Sequence, residues 1–551
     1  MKKLFLILVA GACVAALAFV TTVTPIPAHA QNSEVPLYDD LGDYHYEISS
    51  SIELAQQYFD QGLRLYYAFN HAEAIRAFRE AQQLDEQCAI CWWGEALAWG
   101  PNINLPMDTP SAVAAYAAIE KAVSLQSNAS AKEQALIDAL SSRYKKGAPE
   151  QRASLDQAYA EAMATLATRF NGDIDVGVLY AEALMNLRPW DYWTTKGEPQ
   201  VGIDIALSYL QKALTFNENH PGACHFYIHA VEAVYPKRAI DCAERLATLM
   251  PGAGHLVHMP GHIYIRVGRY LDAVLANEHA VHADETYIQD QHPSMGMYTA
   301  GYYPHNYDFM AFAAMMIGRS DTAIESAQKV TSLLPAEMYG SAGMDFLQHW
   351  SVRPLQMQVR FAKWQDILQV TSPAKEYPHA VAIWHYARGR AFLATGNLVA
   401  ADNELSQLRT ITARSDLDGL RMEFNQSRDL LRIAERVLTG WNYATAGSFD
   451  AALAALQEAV NFEAELFYGE PPEWSVPTHQ DLGAVLLLAN KAAEAEAVFE
   501  NDLAIFPENG WSLYGLMQAL QAQGKHAEYT TVERTFQRVW ETADVAIEEV
   551  F

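Results

Sequence analysis

Three histidines, His255, His258 and His262, fall within eight positions of the stretch "GHLVHMPGHIYIRVGRY". Their spacings of three, four and seven are those of one face of an α-helix. Imidazoles at i and i+4 can chelate one metal ion from a single helical turn, and neighbouring helices can complete the shell. Pro260 and Gly261 interrupt the run. Proline there either bends the helix or stands as its first residue. Pro354 follows His349 by five residues, as Pro260 follows His255, so the bend is a repeated feature.

The enrichment extends beyond this stretch. Ten of the eighteen histidines lie between residues 220 and 305. His225 and His229 are four apart, and Glu232 follows as a further ligand or a general base. His305 and His349 open the helices that come next. The candidate metal set is His225, His229, His258, His262, His305 and Glu232, with His255 and His349 lining the same groove. His258 and His262, joined by His225 or His229, form its expected centre. Such a set suits copper, zinc or iron. Packing in an aromatic-rich core and a pH-responsive surface are the competing readings. His220, His279, His282 and His292 read as loop or surface residues. No H-E-x-x-H, G-x-S-x-G, P-loop or G-x-G-x-x-G is present, and no catalytic residue is assigned.

The elements that would position these residues form a repeat array. In "FDQGLRLYYAFNHAEAIRAFREAQQLD", Gly62, Ala74, Phe78 and Ala81 fall at the spacing of a tetratricopeptide helix pair. Related patterns run through Gly261, Tyr264, Gly268, Tyr270, Ala273 and Ala280, and through Ala311, Ala314, Gly318, Ala323 and Pro335. No stretch alternates like a strand. The expected fold is all-α, a right-handed helical-hairpin solenoid over residues 51–551. Insertions at 100–113, 188–202, 285–304 and 467–480 break the period, and loops of such length tend to be functional. Trp190, Tyr192 and Trp193 lie in the second of them, as a lid over a ligand or a cap on the core.

Residues 1–30 read as a signal peptide: Lys2 and Lys3, an apolar run from Leu4 to Val20, then Ala28-His29-Ala30. Residues 31–50 read as a linker. Removal of two lysines takes the formal net charge from −28 to −30, which argues against nucleic acid as a partner. No later run is long enough to span a membrane. A periplasmic or extracellular location follows.

Cys88 and Cys91, in an exported chain, read as a disulfide. Redox or metal work stays open, because Glu95 shares their helix face. Cys224 and Cys242 flank a turn near Tyr235-Pro236 asymmetrically. A uniform helical rise puts them about 7 Å apart along the axis, too far for a bond, so two reduced, buried thiols are expected.

Two segments, "CAICWWGEALAWGPNINLPM" (88–107) and "HPGACHFYIHAVEA…PGAGHLVHMPGHIYIRVGRY" (220–270), resemble an exported bacterial tetratricopeptide family. That family carries C-x-x-C-W-x-G-E-A-L-A and H-M-P-x-H-I-Y-x-R-x-G-R-Y motifs and has no assigned activity. The resemblance implies the fold, the location and a groove lined by the first helix of each pair. Two functions stay open: a groove that binds a divalent metal and/or a peptide or protein partner, and a metal-dependent enzyme with the histidines as its active site.

Overall fold

The computed structural model describes residues 35–147, 152–335, 338–339 and 344–551. The segment expected as a signal peptide, and residues 31–34 of the expected linker, lie outside them. Among the described residues every regular element is a helix, with only isolated β-bridges between loops. No helix among them is long and apolar enough to cross a membrane.

The helices pack as hairpins, and small residues set the approach. Helix Glu53–Tyr67 lies on His71–Leu84, which starts where the Asn70 side chain accepts from the Glu73 N–H. The Phe78 ring fills the space over Gly62 and Gly94, where an added Cβ would come within 2.7 and 2.5 Å of it. Gly440 and Leu456 repeat this arrangement, as do Gly483, Gly515 and Phe499.

Repeats far apart in sequence also touch. Trp511 Nε1 donates to the Met315 carbonyl at 2.7 Å. Asp544 accepts from the Ser320 and Asp321 amides at 2.7 and 3.0 Å. Residues 37–50 form an extended strap: Tyr46 donates its N–H to Asp60, Ser49 donates to Glu133, and Leu41, Tyr46 and Ile48 are buried. The array therefore folds back on itself, so distant repeats share one core.

Pro260 begins a helix. A short helix Gly254–His258 carries His255 and His258, and Pro260–Arg266 carries His262. Pro354 likewise stands in the first turn of Arg353–Arg360, after the short helix Leu347–Trp350 that carries His349.

Gly62→Val forces two methyls into the Phe78 ring. The expected loss is about 1–3 kcal/mol, as for overpacked cores, measured by urea unfolding; an unchanged midpoint would show that the ring moves aside freely.

Candidate metal centre

The proline break turns the histidine-bearing segments inward. His225, His229, His255, His258 and His262 are 0–2% exposed, and His305 is half-buried. The expected open groove is instead an enclosed chamber, because the insertions fill the space in front of it. Trp190, from 188–202, lays its ring 5.1 Å from that of His229 and 5.2 Å from Phe424. Its Nε1 donates to Asn104 Oδ1 of the 100–113 loop. Tyr302, ending 285–304, sits 4.7 Å from the His255 ring. Glu470, from 467–480, accepts from His262 Nδ1 at 3.0 Å. Four insertions thus meet at one place.

Two aromatic residues reach the chamber with left-handed backbones. Phe69 has φ 56° and Trp190 φ 64°. Non-glycine residues adopt this region at a cost, which the surroundings must offset. Phe69 presses on His225 at 4.4 Å and on His255 at 5.3 Å between ring centres.

The hydrogen bonds fix where the imidazole protons sit. Asn277 Nδ2 donates to the Ala273 carbonyl, which leaves Oδ1 to accept from His258 Nδ1 at 2.7 Å. The lone pair of His258 is therefore on Nε2. The Glu232 and Glu470 carboxylates both lie 3.0 Å from His262 Nδ1, with the N–H aimed at Glu470, so its second nitrogen is again Nε2. These two Nε2 atoms face each other at 2.9 Å. Two lone pairs repel at that distance, so a cation must lie between them: a proton on His262 or a metal ion. Burial works against charge on His262, but the Glu232 and Glu470 carboxylates outweigh it and hold it up to about 9. Burial first, and neighbouring imidazoles second, keep His255, His258 and His305 neutral far below the usual histidine range.

His225 Nδ1 donates to the Tyr67 carbonyl at 2.6 Å, and its Nε2 meets His255 Nε2 at 3.2 Å. His229 Nδ1 points to Glu232 Oε1 at 3.4 Å, and its Nε2 is buried with no protein partner. The ligand atoms gather into His225–His229–His255, His258–His262–His305 and His229–Glu232–His262, each set within 4.8 Å.

His349 lies elsewhere. It donates from Nε2 to the Glu473 carbonyl, and its Nδ1 accepts from His379 Nε2 at 2.8 Å, while His379 Nδ1 accepts from Ser427. Every proton in that pair has an acceptor, so it is a satisfied core contact and not part of the groove. Glu95 turns to Arg79 and Gln82 on a different face, not to the histidines. Cys88 and Cys91 share its helix end, with Cα atoms 5.4 Å apart. Of the expected lid only Trp190 meets the histidines; Tyr192 is buried, and Trp193 donates to the Ala230 carbonyl.

Two further expectations are corrected. His220 is not a surface residue: it is buried, caps the helix Pro221–Val231 by accepting from the Ala223 amide, and meets Asp175 at 3.1 Å. Cys224 and Cys242 are free and buried as expected, but they are not far apart, for each thiol perturbs the other's ionisation. Residues 232–235 leave the helix in a turn, and Pro236–Ala239 is a 3₁₀ helix rising about 2.0 Å per residue. The two arms therefore level out.

Sequence reasoning missed Asn277, Glu470, Phe69 and the Tyr67 carbonyl. Asn277 had a faint signal, since it packs on Gly261, where a Cβ would meet its Nδ2 at 2.8 Å.

No protein-family model matches the chain, and no curated protein matches it. Solved structures similar to it include yeast Tom70, at 12% identity and TM-score 0.30, over 91% of this chain and 94% of that one. A human IFIT1 dimer with m7Gppp-AAAA is 10% identical over 89% and 91%, TM-score 0.33. The P58(IPK) TPR domain is 11% identical over 86% and 99%, TM-score 0.21. The all-α helical-hairpin fold rests on the helices themselves.

Asp284 sets the start of the histidine-bearing helix. Its carboxyl fills the space over Gly254, where a Cβ would lie 1.9 Å from Oδ1, and accepts from Tyr298 and Asn306. Burial outweighs those bonds and pushes the carboxyl up to about 7. Its unfolded value is about 4, so its contribution is complete below that pH and is lost as pH rises toward 7. Asp284→Asn is expected to flatten the fall in unfolding free energy between pH 4 and 7; an identical slope in both proteins would contradict this.

Proposed function

We propose that this is an exported helical-repeat protein that holds a divalent transition metal ion, copper, zinc or iron, at His258, His262 and His305. The contact that carries the reading is His258 Nε2 against His262 Nε2, both lone pairs inward, with Asn277 and Glu470 behind them. Metal-bound imidazole characteristically donates its other N–H to a carbonyl or carboxylate, which fixes ring orientation and raises ligand basicity. Two nitrogens 2.9 Å apart, each about 2.0–2.1 Å from one ion, subtend about 90°. Glu232 then serves as an orienting carboxylate.

One observation favours a metal-dependent enzyme. A cavity of about 210 Å³ opens beside the centre and shares Glu470 and Arg266 with it. A small molecule there would lie one carboxylate away from the histidines. Binding of a peptide or protein partner draws its support from the general habit of helical-repeat surfaces. For an exported chain we also propose a Cys88–Cys91 bond; alkylation without reductant then labels two thiols, and labelling of four refutes it.

Elemental analysis of the purified protein tests the metal. His262→Ala is expected to lose it while far-UV circular dichroism stays nearly unchanged, because stability is spread over many repeats. Asn277→Leu keeps all the ligands but removes an acceptor, and a weakening of about 10–100-fold in metal affinity is expected. A wild-type protein that neither contains nor takes up metal would leave the proton on His262 as the cation and overturn the proposal.

A further inference from the structure

The proposed ion uses three of the six imidazoles in the chamber. His225, His229 and His255 form a second set with ligand atoms within 4.8 Å, and none of the three belongs to the first. All are fully buried, on Pro221–Val231 and Gly254–His258.

The second set shares with the first an anchored imidazole whose Nε2 faces another, although His255 Nδ1 has no protein partner. His225 is anchored through Nδ1 to the Tyr67 carbonyl and offers Nε2. His255 Nε2 stands 3.2 Å from it, a separation that subtends about 100° at an ion about 2.0–2.1 Å from both, near the tetrahedral angle. His229 Nε2 is a buried polar atom without a partner, which costs free energy unless something fills that role. The contrast with His349 and His379 is direct. Those are equally buried, yet each ring nitrogen there has a donor or acceptor.

The two sets abut. The His229 and His262 rings are 5.1 Å apart, and the His255 and His258 rings 5.7 Å. Glu232 stands behind both, 3.4 Å from His229 Nδ1 and 3.0 Å from His262 Nδ1. One carboxylate thus orients a ligand of each set.

We infer that the chamber is a dinuclear centre: a second divalent transition metal ion sits on His225, His229 and His255, beside the ion on His258, His262 and His305. Glu232 is the positioning residue that the two sites share. This rests on the proposed metal reading and extends it to two ions per chain.

The test is the stoichiometry of Zn²⁺ in the full-length protein, loaded and then passed over a desalting column, with folding checked by circular dichroism. The wild type is expected to retain two zinc ions. His225→Gln and His305→Gln, each removing a ligand of one set only, are expected to retain one. A wild-type value of one overturns the second site and leaves the first intact. A value of zero overturns the metal reading itself. The wild-type count decides these outcomes even if a variant fails to fold. Two ions retained in a folded His225→Gln protein would also overturn the assignment.

Discussion

The contact between His258 and His262 is the constraint around which the chamber is built. Each ring has committed its Nδ1 proton outward, to Asn277 and to Glu470, so the two Nε2 atoms confront one another at 2.9 Å. Only a cation between them, a proton on His262 or a metal ion, satisfies both. A buried pair of acceptors is expensive, and a fold that retains one at its centre is organised to hold a cation there. Asn277 anchors one side through the Ala273 carbonyl, while Tyr468 and Arg266 brace Glu470 on the other.

The architecture follows from this need. A regular helical-hairpin array exposes its concave face along its length. Here the insertions leave the period to cover that face, each supplying one contact: Asn104 to Trp190, Trp190 to His229, Tyr302 to His255 and Glu470 to His262. The fold-back of the array brings the 467–480 loop to residues some two hundred positions earlier. Enclosure keeps His255, His258 and His305 neutral and strengthens each electrostatic contact, that of the Glu232 and Glu470 carboxylates with His262 included. The left-handed backbones of Phe69 and Trp190 are local strain held by this packing.

The helical pairs were legible because Gly62, Phe78, Gly261 and their counterparts repeat a packing rule that is local in sequence. The histidine clustering was legible for the same reason, as i, i+3 and i, i+4 spacing. What could not be read was burial and partnership. Whether His258 faces an open groove or a chamber depends on loops from elsewhere in the chain, and Glu470 is 208 residues from His262. The same limit explains His349, whose spacing from Pro354 mirrors that of His255 from Pro260, yet whose neighbour His379 satisfies it. Cys224 and Cys242 show that counting residues along a uniform helix fails where a turn and a 3₁₀ segment intervene.

X-ray absorption at the metal edge of the protein as isolated tests the central claim most directly. The account predicts a shell of imidazole nitrogens at about 2.0–2.1 Å, with the outer-shell scattering that imidazole rings give, lost in a His258→Ala, His262→Ala double variant. An absent edge, or a shell that the double variant leaves unchanged, would contradict it.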